Sequence, residues 1–201
     1  ETAGVVFVDG DLPGLADLNA KVSFPVALHE PVEDLPAYLK ASGIEGVTIA
    51  DIAGQIKSPD VQGAFGAILK DVFGKDYPDA MKVHRPALQK LFADYFKSNK
   101  LDAMLFPTTP APAVPIDAEK GSGDMSIAGG KPAPTFATMI RNTDPGSNAG
   151  IPGLSLFAGM TKGGLPVGIE IDGPLGSDRG LLSLGLAIEA LLGTAPVPAA
   201  K

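Results

Sequence analysis

The sequence predicts an α/β fold in which a mixed central sheet is covered by helices. Short, continuous apolar runs predict buried central strands, and longer stretches with apolar residues at helical spacing predict helices on the sheet faces. The strands are expected at Ala103–Phe106, Leu154–Phe157 and Val167–Ile171, and the two main helices at 78–98 and 178–192. With 45% hydrophobic residues, a chain of 201 residues has enough apolar material for one sizeable core.

The N-terminal part predicts one strand followed by several helices. Val5–Val8 is a short apolar run before a turn signal, so it is expected to form a strand. The helices that follow are predicted at 30–40, after an N-cap at Thr48, at 60–73 with Gly74 as the C′ residue, and at 78–98.

The strand at Ala103–Phe106 runs into a threonine pair, Thr108 and Thr109, with a proline on each side. Proline restricts the backbone, so this loop is expected to be fixed at the C-terminal edge of the sheet. Open α/β sheets place ligands at that edge. The pair is therefore a candidate for substrate contact, although a rigid exit loop that touches no substrate would have the same sequence.

Residues 111–134 are rich in Pro, Gly, Ala and Ser, which predicts a long loop without regular structure. Loops of this length are often flaps over a site, so it is a candidate lid. Thr135 is expected to cap a short helix, Phe136–Arg141, in which Phe136 and Ile140 share one side. That side either lines an aromatic pocket or belongs to the core, and the pattern leaves both interpretations open.

The stretch Asn148–Gly173 predicts a hairpin of two apolar strands joined by Lys162-Gly163-Gly164. Asp178 then begins a helix that is apolar nearly all round, and Gly193 is expected to end it.

Three ordered motifs stand in this half of the sequence. They are Leu105–Pro110, then Asn148, Gly150, Pro152, Ser155, Gly159 and Gly164-Leu165-Pro166-Val167-Gly168, and last Asp178 with its Leu-rich helix. Together they resemble the C-terminal part of the amidase signature family, serine hydrolases that cleave carboxamides. The likeness is greatest to arylacetamide-type members such as mandelamide and indoleacetamide hydrolases. One departure is Phe157, where members commonly have proline after the Ser-Leu pair.

The resemblance implies a Ser-Ser-Lys triad in a Gly-Ser-Ser-Gly-Gly type motif with an upstream lysine. No such motif occurs in residues 1–201, Ser155 matches a framework serine, and Lys162 stands in a turn. We therefore expect no catalytic residue here. The resemblance implies that residues 1–201 form the C-terminal segment of a single amidase domain whose N-terminal catalytic part is not in this chain.

We expect this segment to form one side of an acyl pocket for a small-molecule amide. Its expected partner is the N-terminal part of the same enzyme. Thr108, Phe136 and Ile140 are the proposed substrate-binding residues, because an acyl pocket needs apolar walls and few polar groups. Two other functions remain open: a non-catalytic binding module with the amidase fold, and an amidotransferase subunit of the same family.

Composition excludes several classes. A net charge of −7 and a pI near 4.7 disfavour a nucleic-acid partner. The chain has no cysteine and only two histidines, His29 and His84, without metal-ligand spacing, so neither a metal nor a cofactor is expected. No apolar run is long enough for a bilayer and no targeting signal is visible, which predicts no membrane partner and a cytoplasmic location. A homodimer remains possible.

Overall fold

The computed structural model describes residues 3–117, 121, 123–127 and 129–197. Helices come first, a three-stranded antiparallel sheet follows, and a long helix comes last, so the predicted α/β class is confirmed. The helices are α1 (Leu15–Ala20), α2 (Ser23–Ala27), α3 (Pro31–Ala41), α4 (Ile49–Gln55), α5 (Pro59–Leu69), α6 (Tyr77–Asp79), α7 (Arg85–Asn99), α8 (Thr135–Ile140), α9 (Asp144–Ala149) and α10 (Asp178–Leu192). The strands are β1 (Met104–Pro107), β2 (Asp124–Met125), β3 (Ala133–Pro134), β4 (Gly153–Met160) and β5 (Pro166–Asp172).

The main sheet has the strand order β1–β5–β4, so only β5 is central, whereas all three strands were expected to be. Its strands pair antiparallel, and the mixed pairing expected from the sequence is therefore not seen among the described strands. The predicted hairpin between β4 and β5 is confirmed. Gly164 has φ 79°, and its N–H donates to Thr161 O over 3.0 Å. This left-handed backbone explains the glycine at that position.

The pairing register assigns each residue to one of two faces. Leu105, Ile171 and Leu154 form one row across the sheet, and α10 packs against this side, here called the α10 face. A Cβ at Gly185 would lie 2.3 Å from Leu154 Cδ2, so a glycine lets α10 approach β4 closely. The opposite side, here called the polar face, carries Phe106, Glu170 and Ser155 in the adjacent row.

Burial on the polar face increases along β5. Helix α9 covers the end that carries Asp172, which is buried, whereas Ser155 is exposed. On the other face, Leu105 is 47% exposed. The expectation that the sheet is covered on both faces is therefore wrong for β1 and β4 in the described part of the chain, because α10 covers β4 on one face only and Leu105 of β1 stays exposed on that same face.

Two of the N-terminal helix boundaries differ from the sequence pattern. The N-cap at Thr48 is confirmed, since Asp51 N–H donates to Thr48 Oγ1 over 3.1 Å and Thr48 N–H donates to Asp51 Oδ2 over 2.9 Å. Helix α5 ends at Leu69 rather than near 73, because the chain turns through Asp71 at φ 45°. Gly74 is therefore not its C′ residue.

The long helix expected at 78–98 is interrupted. Helix α6 is followed by a π-helical turn, Ala80–His84, before α7 begins at Arg85. Pro86 explains the interruption, since it has no N–H to donate and its ring crowds the carbonyl one turn earlier. The predicted apolar stripe of α7 is present and forms the centre of the core. The buried core residues are Val22, Leu88, Phe92, Phe96 and Ala149, with α1 and α9 packed on α7.

The strand expected at Val5–Val8 is wrong. These residues have no ladder partner in the described part of the chain, and their side chains are largely exposed, with Val6 at 85%. A strand requires a neighbouring strand to pair with, and none of the described strands pairs with this segment.

The 111–134 loop is only partly irregular. Its β2 and β3 pair antiparallel, and Thr135 N–H donates to Gly123 O over 2.9 Å. Thr135 is the first residue of α8 rather than its cap, and its hydroxyl meets no partner among the described residues. Positions 118–120, 122 and 128 of the expected lid lie outside the described residues.

Helix α10 ends as expected, with Gly193 at φ 82°. One of its faces, with Leu181 and Gly185, packs on the sheet, whereas Leu182 and Leu186 on the other are exposed. This helix is therefore covered on one side only by the described residues. No helix in the described part of the chain combines the length and the apolar character that crossing a membrane requires.

Candidate functional site

Thr108 lies where β1 leaves the sheet, at the exposed end of the polar face. Its N–H donates to Gly168 O over 3.1 Å, which extends the β1–β5 ladder by one residue. Its Oγ1 lies 2.6 Å from Ser155 Oγ on β4. A Cβ at Gly168 would be 2.9 Å from both hydroxyl oxygens, so this hydroxyl pair spans β5 because position 168 is a glycine.

Thr109 is directed elsewhere. Its hydroxyl donates to Ala111 O over 2.8 Å and thereby fixes the turn of its own loop. Of the threonine pair singled out from the sequence, only Thr108 joins the polar face.

Helix α8 is held beside the β1 exit by one side chain. Asn142, which follows α8, donates from Nδ2 to Pro107 O over 2.8 Å. This bond places the end of the helix that carries Ile140 next to the residue preceding Thr108. Phe136 is 49% exposed and Ile140 is half-buried, so Phe136 is not a core residue of the described part of the chain.

A polar network fixes α9, which covers the buried end of the polar face. Asp144 accepts hydrogen bonds from Asn19 Nδ2 over 2.6 Å and from Ser23 Oγ over 3.1 Å. Asn148 Nδ2 donates to Asn19 Oδ1 over 2.8 Å. At the other end of the helix, Arg85 Nε donates to Asn148 O over 2.9 Å. The network explains the asparagine of the Asn-x-Gly motif, and the left-handed turn at the next glycine ends the helix.

Glu170 and Asp172 form an acid pair on the polar face of β5, two residues apart and both buried. Burial, the charge of Glu170 and a hydrogen bond to Glu170 raise the pKa of Asp172 from 3.8 to about 7. Burial also raises the pKa of Glu170, against an opposing hydrogen bond from Asp172. The pair therefore retains a proton near neutral pH.

Glu170 and Asp172 were not among the site residues predicted from the sequence. Two acidic residues at alternate positions of an apolar strand place both carboxyls on one face, and that signal was available. The burial of these carboxyls could not be predicted from the strand itself, because it depends on α9. A Cβ at Gly146 of that helix would lie 2.5 Å from Asp172 Oδ2.

His29 makes its contacts with residues outside this site. His29 Nδ1 contacts Asp71 Oδ1 at 2.6 Å, and its ring stacks on Tyr77 with centroids 4.3 Å apart. Tyr77 donates to Glu30 Oε1 over 2.9 Å, and this bond raises the pKa of the phenol. Within the described ranges, no three His, Cys, Asp or Glu side chains are arranged to hold a metal ion.

Residues 2–182 match the family model described as Amidase. The chain is 43% identical over 188 residues to an indoleacetamide hydrolase of Agrobacterium vitis, covering 92% of this chain and 39% of that protein. It is 40% identical over 210 residues to a mandelamide hydrolase of Pseudomonas putida, covering 98% of this chain and 39% of that protein. The chain thus spans about two fifths of the length of these curated relatives.

Solved structures give the same result for the fold. A crystal structure of an amidase superposes with a TM-score of 0.65 at 28% identity, covering 90% of this chain and 36% of that one. A bacterial aryl acylamidase, described as an amidase signature enzyme, superposes with a TM-score of 0.62 at 22% identity, covering 92% of this chain and 36% of that one.

Proposed function

The chain belongs to the amidase family, and on that premise we propose that it acts as the C-terminal portion of an amide hydrolase for carboxamides of the arylacetamide type. The support for this substrate class is similarity to relatives that are named for it. An indoleacetamide hydrolase and a mandelamide hydrolase align with nearly all of the chain at 43% and 40% identity. Both names describe an amide whose acyl group carries an aromatic ring.

The proposed division of labour follows from what residues 1–201 contain. Acyl transfer needs an activated nucleophile, a base and an oxyanion hole. The family's Ser-Ser-Lys motif does not occur in these residues, so the proposal assigns the bond-breaking groups to the part of the relatives that extends beyond the match. We also propose that this part covers the faces of β1 and β4 that the described residues leave exposed. A homodimer and a cytoplasmic location stay predictions of the sequence.

For the segment itself we propose a role on the acyl side of the site. The observation that carries this role is the bond from Asn142 Nδ2 to Pro107 O, because it joins α8 to the β1 exit. Thr108 would then offer a hydroxyl at the edge of the site, and Phe136 and Ile140 would offer apolar walls. Phe136 is exposed in the described part of the chain, so its ring is available either to the acyl group or to a contact with the rest of the enzyme.

Amide hydrolysis by the complete protein is the direct test. We expect it to release ammonia from phenylacetamide and to lose this activity on treatment with a serine-directed inhibitor. Residues 1–201 expressed alone should show no turnover. If the separate chain hydrolyses the amide in an inhibitor-sensitive way, a nucleophile lies within these residues. If the complete protein binds amides without cleaving any, it is a binding module instead.

A further inference from the structure

The buried acid pair adjoins the hydroxyl pair of the proposed acyl site. Glu170 lies directly opposite Ser155 in the β4–β5 register, and Ser155 contacts Thr108. Successive residues on one strand face are about 7 Å apart, so Glu170 occupies the row next to Thr108 and Asp172 the row after it. A line of polar groups thus runs along the sheet from the exposed β1 exit to a buried carboxyl.

The two carboxyls converge on a space that a glycine leaves open. A Cβ at Gly153 would lie 2.7 Å from Asp172 Oδ1 and 3.0 Å from Glu170 Oε1. Asp172 is only 3% exposed, and its Oδ1 meets no N–H or hydroxyl donor among the described residues. A buried oxygen without a donor is costly, so the pair depends on its own retained proton.

No cation among the described residues neutralises the acid pair. Strands β1 and β4 carry no titratable side chain between their end residues. On α9, Asp144 is acidic and already accepts two hydrogen bonds. The guanidinium of Arg85 lies at the far end of α9 and donates to Asn148 O. The negative charge of the pair is therefore uncompensated within this part of the chain.

We propose that Glu170 and Asp172 set the charge selectivity of the acyl site, so that amides with a carboxylate on the acyl group are rejected and neutral or cationic ones are accepted. This inference rests on the proposed function, in which Thr108 borders the acyl group. A unit charge in a poorly solvated site acts over several ångströms, because little water is present to screen it. Contact between the carboxyls and the substrate is not required.

Retention of one proton makes the selectivity depend on pH. As the pH rises through about 7 the pair loses a proton and its negative charge increases by one, since the pKa of Asp172 is raised to about 7. Rejection of anionic amides should therefore become stronger as the pH rises through this value. Asp172→Asn removes the group that ionises in this step, so it should abolish the step while leaving Glu170 in place.

The test compares kcat/KM of the complete enzyme for three amides that share the phenylacetamide skeleton and differ in charge: phenylacetamide, which is neutral, 4-carboxyphenylacetamide, which is anionic, and 4-(aminomethyl)phenylacetamide, which is cationic. In Glu170→Gln/Asp172→Asn, the rate for the carboxylate amide relative to phenylacetamide should rise about tenfold, and the relative rate for the cationic amide should fall. Asp172→Asn alone should remove the change in this ratio between about pH 6 and about pH 8. Both replacements keep the side-chain shape.

Two controls separate the possible failures. Asp17→Asn removes an exposed carboxylate on α1 and should leave the ratio unchanged. Ile140→Ala reports on the acyl site through size selectivity. If Ile140→Ala alters size selectivity but the double variant leaves the charge ratio unchanged, the charge inference is wrong and the proposed site stands. If neither variant alters selectivity, the proposed site is wrong as well, and so is the inference that rests on it.

Discussion

The hydroxyls of Thr108 and Ser155 meet 2.6 Å apart across Gly168, which separates them in the sheet. The contact joins β1 to β4 over the central strand and depends on the missing side chain at position 168. It ties the exit of β1, where the candidate site begins, to the hairpin.

Gly168→Ala should destabilise the protein by about 1–3 kcal/mol, because the methyl group would lie 2.9 Å from both hydroxyl oxygens and force them apart. Urea unfolding of the complete protein measures the loss. Gly163→Ala is the matched control, since its Cβ would meet only Thr161 Oγ1, at 3.8 Å. Equal stability of the two variants would mean that the hydroxyl pair relaxes without cost.

Ile140→Ala should shift substrate preference toward bulkier acyl groups. One or two methylenes in an apolar pocket are worth about 1–3 kcal/mol of discrimination, or roughly 10- to 200-fold in the ratio of kcat/KM values. The ratio for a small and a large amide, measured on the complete enzyme, tests this. Ile68→Ala, at a buried position of α5, should cost about 2–5 kcal/mol of stability and leave the ratio unchanged. The same behaviour from Ile140→Ala would return this residue to the core.

Stability should fall as the pH rises from 3.8 to about 7 and then level off, because the pKa of Asp172 is raised from 3.8 to about 7 in the folded state. Between these two values the folded state binds a proton that the unfolded state has lost, so each rise in pH across this interval favours unfolding. The whole effect is at most about 4 kcal/mol. Asp172→Asn should flatten this part of the curve in urea unfolding across the pH series. An unchanged slope in the variant would show that a cation from elsewhere in the protein already holds the carboxyl ionised.

Asn19 should couple energetically to Asn148, since the two side chains share the 2.8 Å bond that fixes α9. Asn19→Ala should cost about 1–3 kcal/mol, because Asp144 and Asn148 would both lose a partner. In a double-mutant cycle with Asn148→Ala, the coupling should be about 0.5–3 kcal/mol. Asn99→Ala removes only a bond to Tyr95 O on the surface and should cost much less. Additive losses at positions 19 and 148 would contradict the network.

Features fixed by neighbours in sequence were predictable. The cap at Thr48, the hairpin turn at Gly164 and the end of α10 at Gly193 each depend on residues within a few positions. Features that need a distant partner were not. Val5–Val8 has the composition of a strand but no described neighbour to pair with, and the burial of Asp172 is decided by a helix more than twenty residues earlier, at Gly146.

The candidate site follows the same division. Thr108 could be selected because proline and a strand end are local signals, and the resemblance to a family added Phe136 and Ile140. The bond from Asn142 to Pro107 that brings α8 to the strand exit spans 35 positions and has no local signature. The position of Thr109 in the sequence likewise did not predict that its hydroxyl would donate to Ala111 O in its own loop.

The π-helical turn Ala80–His84 also constrains how this chain tolerates insertions and deletions. Such a turn holds one residue more than an α-helix would, and one residue corresponds to about 100° of rotation. Deleting a single residue there would remove this extra residue, and with α7 anchored by Leu88 and Phe92, the preceding turn would rotate by about that angle. Tyr77 would then move away from His29 and Glu30, so a length change of one residue at this point would break the contacts of α6 with the start of α3.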